Sequence, residues 1–168
     1  GIWGGMYNNI ANLNNLLIQI DSKKDVFTAD NFDRVKGEAT ALRALFHFDL
    51  LRMFGQSPVT GSTVKAIPYV TQFTVSPTPH ITLQAALDSC IVDLTKAKDL
   101  LAKTDTSAVL KGVYDPFTSY TQNHLNYWAV QGLLARVYLY KGDYVNADNS
   151  AKAVIGSNKF PLITSNVA

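Results

Sequence analysis

Glu38 and Asp49, two carboxylates on one predicted helix, are the closest this sequence comes to an acid–base pair. Cleavage of a glycosidic bond usually needs two carboxyl groups about 5–9.5 Å apart, one on each side of the bond. Eleven residues separate the two positions, and at a rise of about 1.5 Å per residue their backbones lie roughly 16 Å apart. The spacing therefore predicts that these carboxylates cannot act together, which argues against a glycan-cleaving enzyme.

Cations stand at helical spacing from both carboxylates. Arg34 is four residues before Glu38, and Arg52 is three residues after Asp49. Oppositely charged side chains at these spacings meet on one face of a helix and stabilise it. We therefore expect charge pairs that fix helix packing rather than catalysis. On a later helix, Arg136 is a further candidate partner for Glu38.

Other chemistry has little support in the sequence. Three histidines and one cysteine occur without the spacing of a metal site, and no glycine-rich phosphate loop or nucleophile elbow is present. The sequence predicts no metal and no cofactor. A single cysteine excludes an internal disulfide, and Cys90 falls on an apolar helical stripe, where it is expected to be a small buried side chain.

Aromatic side chains are the remaining candidates for ligand contact, because sugar rings stack on them. Trp3, Tyr7 and Trp128 fall on helical stripes, so we expect them to pack in the core. A polar, turn-rich stretch before the fourth predicted helix carries a second group, in the kind of loop that often binds ligands. The candidate ligand-binding residues are Tyr114, Asp115, Phe117 and Tyr120.

Composition fits a single globular domain. The chain has 168 residues and a formal net charge of +2 without runs of like charge, which gives no electrostatic case for binding nucleic acid. It contains no apolar run of membrane-spanning length. Because a helical pattern starts immediately after Gly1, we expect the chain to be one helical domain from a longer polypeptide.

Apolar residues at steps of three and four predict five helices. Gly55 and Pro58 are expected to end the second helix, and the long stretch after it holds four of the six prolines, which predicts an extended segment with a short strand at 66–71. Gly142 and Asp143 form the predicted turn between the last two helices. The predicted helices span 3–21, 32–54, 83–102, 123–140 and 144–156.

The second helix is apolar on two nearly opposite sides, which predicts that it lies between two layers. Two narrow polar seams separate these sides. Glu38, Asp49 and Arg52 lie on one seam, and Arg43 lies on the other. In the first helix, Asn14 falls in the apolar stripe, so its amide must find hydrogen-bond partners. We expect these polar residues to hold the layers together.

Several segments, in order, resemble the SusD/RagB family of bacterial outer-membrane nutrient-binding lipoproteins. "WGGMYNNIANLNNLLIQI" is followed by "GEATALRALFHFDLLRMFGQSP", by an extended "IPYVT", and by "SPTPHITLQAALDSCIVDLTKAKDLL". The last segment, "LLARVYLYKGDYVNA", resembles a tetratricopeptide hairpin, in which small residues let paired helices approach closely. The resemblance covers most of the chain and implies an all-α fold of tetratricopeptide-like hairpins.

The resemblance also implies a role. Members of the family are non-catalytic: they bind an oligosaccharide or another nutrient at the cell surface and work with a SusC-like TonB-dependent transporter. They are several hundred residues long and carry a lipid anchor on a cysteine near their start, a position that Cys90 cannot fill. The alternatives are a helical-repeat adaptor that binds a protein partner and, with less support, a glycan-cleaving enzyme.

Overall fold

The computed structural model describes residues 1–104 and 123–161, and in these ranges the protein is predominantly helical. This confirms the predicted all-α, tetratricopeptide-like architecture. A 3-10 helix, Ile20–Val26, follows the first α-helix, and a two-stranded antiparallel sheet lies before the fourth. The elements in chain order are α1 (Ile2–Gln19), α2 (Asn31–Phe54), α3 (Pro58–Gly61), β1 (Lys65–Pro68), β2 (His80–Thr82), α4 (Leu83–Leu101), α5 (Tyr127–Lys141) and α6 (Tyr144–Gly156).

Helix α2 is the centre of the packing, as its two apolar sides predict. It packs on α1 on one side and on α4 on the other, and α4 in turn packs on α5. The core along these contacts is aliphatic, with Phe48 as its largest side chain. Only the last turn of α2 is open, where Met53 and Phe54 are half exposed. The helix is therefore an interior layer.

Side-chain caps set most helix starts. Thr82 accepts a hydrogen bond from the Ala85 amide at the start of α4, and Asp143 accepts one from the Asn146 amide at the start of α6. Asn126 caps α5 by accepting from Ala129, so that helix begins four residues after the predicted Asn123. Gly142 has a φ of +87°, a left-handed conformation that ends α5 and permits the tight turn into α6.

The segment between α2 and α4 contains more regular secondary structure than predicted. Gly55 ends α2, and Pro58 is the first residue of α3, where its missing N–H costs nothing. Strand β1 begins at Lys65 and pairs with β2, so the predicted strand at 66–71 is displaced towards the N-terminus. Whether this proline-rich segment is an insertion between repeat helices stays a prediction.

Gly37 lies at a close approach between α2 and α4. A Cβ added there would lie 2.7 Å from Leu101 Cγ and 3.4 Å from the carbonyl oxygen of Ala97. Because Cγ is attached directly to Cβ of Leu101, either this side chain must change its rotamer within the core or the helices must separate. We expect Gly37→Ala to lower the free energy of unfolding by about 1–3 kcal/mol in urea denaturation.

A matched control is Gly132→Ala, within α5. An added Cβ there meets nothing within 4 Å, so the change should stabilise the protein by about 0.5–1 kcal/mol through helix propensity. Equal destabilisation by both substitutions would show that backbone flexibility, and not the α2–α4 contact, explains Gly37.

Candidate functional site

A buried ion pair joins the two central helices. Arg43 on α2 donates from Nε and Nη2 to the two carboxylate oxygens of Asp93 on α4, each at 2.8 Å. Its Nη1 donates to Oδ1 of Asn14 on α1 at 3.0 Å. The two charged side chains are only 11% and 5% exposed. One guanidinium thus ties three helices together through a two-pronged contact that its planar geometry favours.

Asn14 extends this network to the segment after β1. It is fully buried, and its Nδ2 donates to the carbonyl oxygens of Val70 at 2.9 Å and Gln72 at 3.4 Å. Both ends of the amide are therefore bonded, which removes the cost of burying it. The hydrogen bonds hold residues 70–72 against α1.

His47 and Tyr69 complete the cluster. Tyr69 donates from its hydroxyl to Oδ2 of Asp93 at 2.7 Å, and its ring stacks on His47 with centroids 3.9 Å apart. The Val70 amide donates to Nε2 of His47 at 2.9 Å. Nε2 must therefore be an acceptor, so the proton lies on Nδ1 and is donated to the carbonyl oxygen of Arg43 at 2.8 Å. This arrangement fixes a neutral tautomer.

Burial controls protonation in this cluster. The pKa of His47 is lowered to about 4, mainly by burial and in addition by the charge of Arg43, while the hydrogen bond to the Arg43 carbonyl and the charge of Asp93 oppose the shift. Burial also raises the pKa of the Tyr69 hydroxyl and of the fully buried Cys90 thiol. These groups are therefore neutral near pH 7, and Cys90 is not a ready nucleophile.

A cleft lies beside the cluster, between α1 and residues 68–78. Trp3 and Tyr7 form its aromatic wall, and Tyr7 donates from its hydroxyl to the carbonyl oxygen of Pro68 at 2.8 Å. The cleft has a volume of about 260 Å³. Gln72, Thr74, Ser76 and Thr78 line the facing wall. Trp3 and Tyr7, expected in the core, are half-buried and contribute to both the core and this cleft.

The two ion pairs predicted for Glu38, with Arg34 and with Arg136, do not form. Arg34 pairs with Asp30 at 3.2 Å, across the first turn of α2, and not with Glu38. Glu38 instead contacts Nδ1 of His124 at 2.9 Å. Arg136 is exposed and lines a groove between α5 and α6. Helical spacing identified residues that could reach each other, but the fold supplied closer partners from the helix start and from the residues before α5.

The Asp49–Arg52 pair forms as its spacing predicts, with 3.3 Å between Oδ1 and Nη1. Both side chains lie on α2 and are more than a third exposed, so the pair does not join two layers. Exposed pairs of this kind contribute little to stability. The ion pair that joins the helical layers is the one between Arg43 and Asp93.

The candidate ligand-binding loop, with Tyr114, Asp115, Phe117 and Tyr120, lies outside the described residues. Within residues 1–104 and 123–161, no group of three or more His, Cys, Asp or Glu residues could hold a metal ion. In the same ranges, no helix is long and apolar enough to cross a membrane.

Sequence reasoning missed Asp93 and Tyr69 as members of the polar cluster. A signal for Asp93 was present, because it lies three residues after Cys90 and four before Ala97, within the apolar stripe of α4. A charge in such a stripe needs a buried partner. No comparable signal identified Tyr69, since its partner is set by the path of the chain after β1.

Comparison with known proteins gives a consistent result. A SusD-like family profile described as "Starch-binding associating with outer membrane" matches residues 1–139. A putative sugar-binding protein from Bacteroides vulgatus is 27% identical with a TM-score of 0.73, covering 93% of this chain and 32% of that one. A SusD superfamily protein from Bacteroides thetaiotaomicron is 26% identical with a TM-score of 0.79, covering 96% and 33%.

A laminarin-binding SusD-like protein shares the fold at 22% identity and a TM-score of 0.68, with 92% of this chain and 29% of that chain covered. The chain thus spans about a third of the length of these solved structures. No curated protein is significantly similar to it.

Proposed function

The chain belongs to the SusD-like family, described as starch-binding and associated with the outer membrane, and we propose that it is the helical domain of a longer, non-catalytic glycan-binding protein. That protein would capture oligosaccharides at the outer-membrane surface. The observation that carries the proposal is the family match, which extends from α1 into α5. The sugar-binding description of the Bacteroides vulgatus structure supports the same ligand class.

The paired acids support binding without bond cleavage. Glu38 contacts His124, Asp49 contacts Arg52, and Asp93 is held by Arg43 and Tyr69. A glycosidase needs two carboxyl groups placed on either side of one bond. These three acids are instead engaged with their own partners.

We also propose the partner that the family resemblance implies, a SusC-like TonB-dependent transporter. In this arrangement the stack of α1, α2 and α4 is a rigid scaffold, because the Arg43 cluster bonds all three layers. A lipid anchor outside this chain would hold the protein at the membrane. Co-purification of the full-length protein with a TonB-dependent transporter from the same organism would test this pairing.

A protein-adaptor function is the second candidate, and one surface favours it. Ala135, Ala147 and Ala151 line an apolar groove between α5 and α6, bordered by the exposed side chains of Leu139 and Tyr144. Small residues allow a further helix to approach closely. If the full-length protein binds no glycan but retains a protein partner through this groove, the adaptor function replaces the first proposal.

Calorimetry tests the glycan-binding function. Maltohexaose and laminarihexaose should release binding heat with the full-length protein, and their masses should be unchanged after prolonged incubation. An unrelated neutral polymer such as polyethylene glycol is the control. Shortened oligosaccharides would contradict the non-catalytic role, and the absence of binding to both glycans would contradict the function itself.

A further inference from the structure

We propose that the cleft between α1 and residues 68–78 is a subsite for a short stretch of a neutral glycan, an inference that rests on the proposed carbohydrate-binding function. Its lining residues are other than Tyr114, Asp115, Phe117 and Tyr120, the candidates that the sequence suggested. It has an aromatic wall, a polar wall and a rigid frame, and each of these follows from described contacts.

The aromatic wall is built on one face of α1. Trp3 and Tyr7 are one helical turn apart, with ring centroids 4.9 Å apart. Phe54 packs edge-on against Trp3 at 5.0 Å, and His80 stacks on it at 6.4 Å. The indole is therefore held in place by its neighbours. The C–H faces of a sugar ring are apolar and pack well on such aromatic surfaces.

Alternate residues of the facing segment supply the polar wall. Gln72, Thr74, Ser76 and Thr78 line the cleft, whereas Phe73 and Val75 between them are exposed and do not. The backbone bends at residues 72, 75 and 76, and the hydroxyl of Thr74 accepts a hydrogen bond from the Ser76 amide at 3.1 Å. The side chains of Gln72, Ser76 and Thr78 form no hydrogen bond within the part of the chain that the structure describes. Their donors and acceptors are available to sugar hydroxyls.

The charge of the residues that line the cleft determines which class of glycan it can bind. The walls contain amide, hydroxyl and aromatic groups, and the ionisable side chain among them is Tyr7. Its hydroxyl donates to the Pro68 carbonyl, and burial raises its pKa, so it remains neutral. A carboxylated sugar would lose hydration on entering without gaining a cation. A neutral hexose polymer loses no charged hydration, and its hydroxyls match the Gln72 amide and the Ser76 and Thr78 hydroxyls.

Residues 68–72 of the cleft are held in place by hydrogen bonds before any ligand binds. Tyr7 and Asn14 on α1 bond the carbonyl oxygens of Pro68, Val70 and Gln72, and the Val70 amide is bonded to His47. Such preorganisation reduces the entropy lost on binding. The volume of about 260 Å³ is slightly below the roughly 300–1,000 Å³ of typical small-molecule pockets. The cleft therefore suits one or two sugar rings of a longer chain.

Nuclear magnetic resonance of the ¹⁵N-labelled chain tests the site directly, because its two tryptophans give two indole signals. Titration with maltohexaose or laminarihexaose should shift the Trp3 indole signal and leave that of Trp128 unchanged. Hexagalacturonate, which carries carboxylates, should shift neither. An unmoved Trp3 signal with both neutral glycans would overturn the subsite.

Substitutions identify the two walls separately. Trp3→Ala should weaken binding about tenfold and Gln72→Ala about threefold, changes easily resolved in a dissociation constant. Gln72 is exposed, so its replacement leaves the helical core intact even if Trp3→Ala disturbs folding. Phe73→Ala is the matched control from the same segment and should leave the affinity unchanged.

The same variants in the full-length protein separate the two proposals. Glycan binding that is unaffected by Trp3→Ala and by Gln72→Ala would overturn the subsite and leave the carbohydrate-binding function standing. Failure of the full-length protein to bind either neutral glycan would overturn both.

Discussion

Replacement of Arg43 with Met is expected to lower the free energy of unfolding by about 3–5 kcal/mol, the usual result of removing one partner from a buried ion pair. The substitution leaves the carboxylate of Asp93, which is 4% exposed, with Tyr69 as its remaining side-chain donor among the residues that the structure describes. It also removes the donor to Oδ1 of Asn14. Urea denaturation followed by circular dichroism at pH 7 measures the loss.

Arg52→Met on the same helix is the matched control. The chemical change is identical, but the Arg52–Asp49 pair is solvent-exposed, so its loss should cost at most about 1 kcal/mol. Arg43→Lys should fall between the two, because it keeps the charge and loses the two-pronged geometry. If Arg43→Met and Arg52→Met proved equally destabilising, the buried pair would have no special part in holding α1, α2 and α4 together.

Acidification is expected to cost the protein about 3–4 kcal/mol of stability through His47 alone. Its pKa is about 4 in the folded state against 6.5 for an unperturbed histidine, a difference of about 2.5 units at about 1.4 kcal/mol per unit. Between these values the unfolded chain binds the proton and the folded protein does not. The contribution is therefore complete above about pH 6.5 and is lost as the pH falls towards 4.

Protonation of His47 destabilises the fold because the neutral ring already carries its one proton on Nδ1 and uses Nε2 as an acceptor. A second proton on Nε2 would face the Val70 amide, which already donates to that atom. Unfolding free energies at several pH values between 7 and 4, for the natural protein and for His47→Gln, isolate the effect, since carboxylates titrate in both. The difference between the two proteins should shrink at low pH. A constant difference would show that His47 is not kept neutral by the fold.

Much of the fold could be predicted because helical periodicity is a local property. The stripes of α2, α4 and α6 predicted their extents closely, and the predicted start of α4 at residue 83 is confirmed. The predicted helix boundaries were wrong where a capping residue or a change of helix type determines the boundary. Asn126 moved the start of α5, and the end of α1 became a 3-10 helix.

The site could be predicted much less well, because its residues come from segments far apart in sequence. Asn14 was recognised as a polar residue in an apolar stripe, but the identity of its partners depends on the path of residues 70–72. The cleft is likewise formed by segments that are far apart in sequence, α1 and residues 68–78. Periodicity assigned Trp3 and Tyr7 to the core, and it contains no information about which segment crosses in front of them.

By itself, the sequence determined that this protein is all-α, that α2 lies between two layers, and that its order of motifs is that of the SusD-like family. These properties depend on spacing along a single helix or on local turns. The tertiary structure decided which carboxylate Arg43 would meet, which tautomer His47 adopts, and where a concave surface remains. Hydrogen bonds and clefts require atoms from different segments within a few ångströms of each other, and only the packed chain brings them that close.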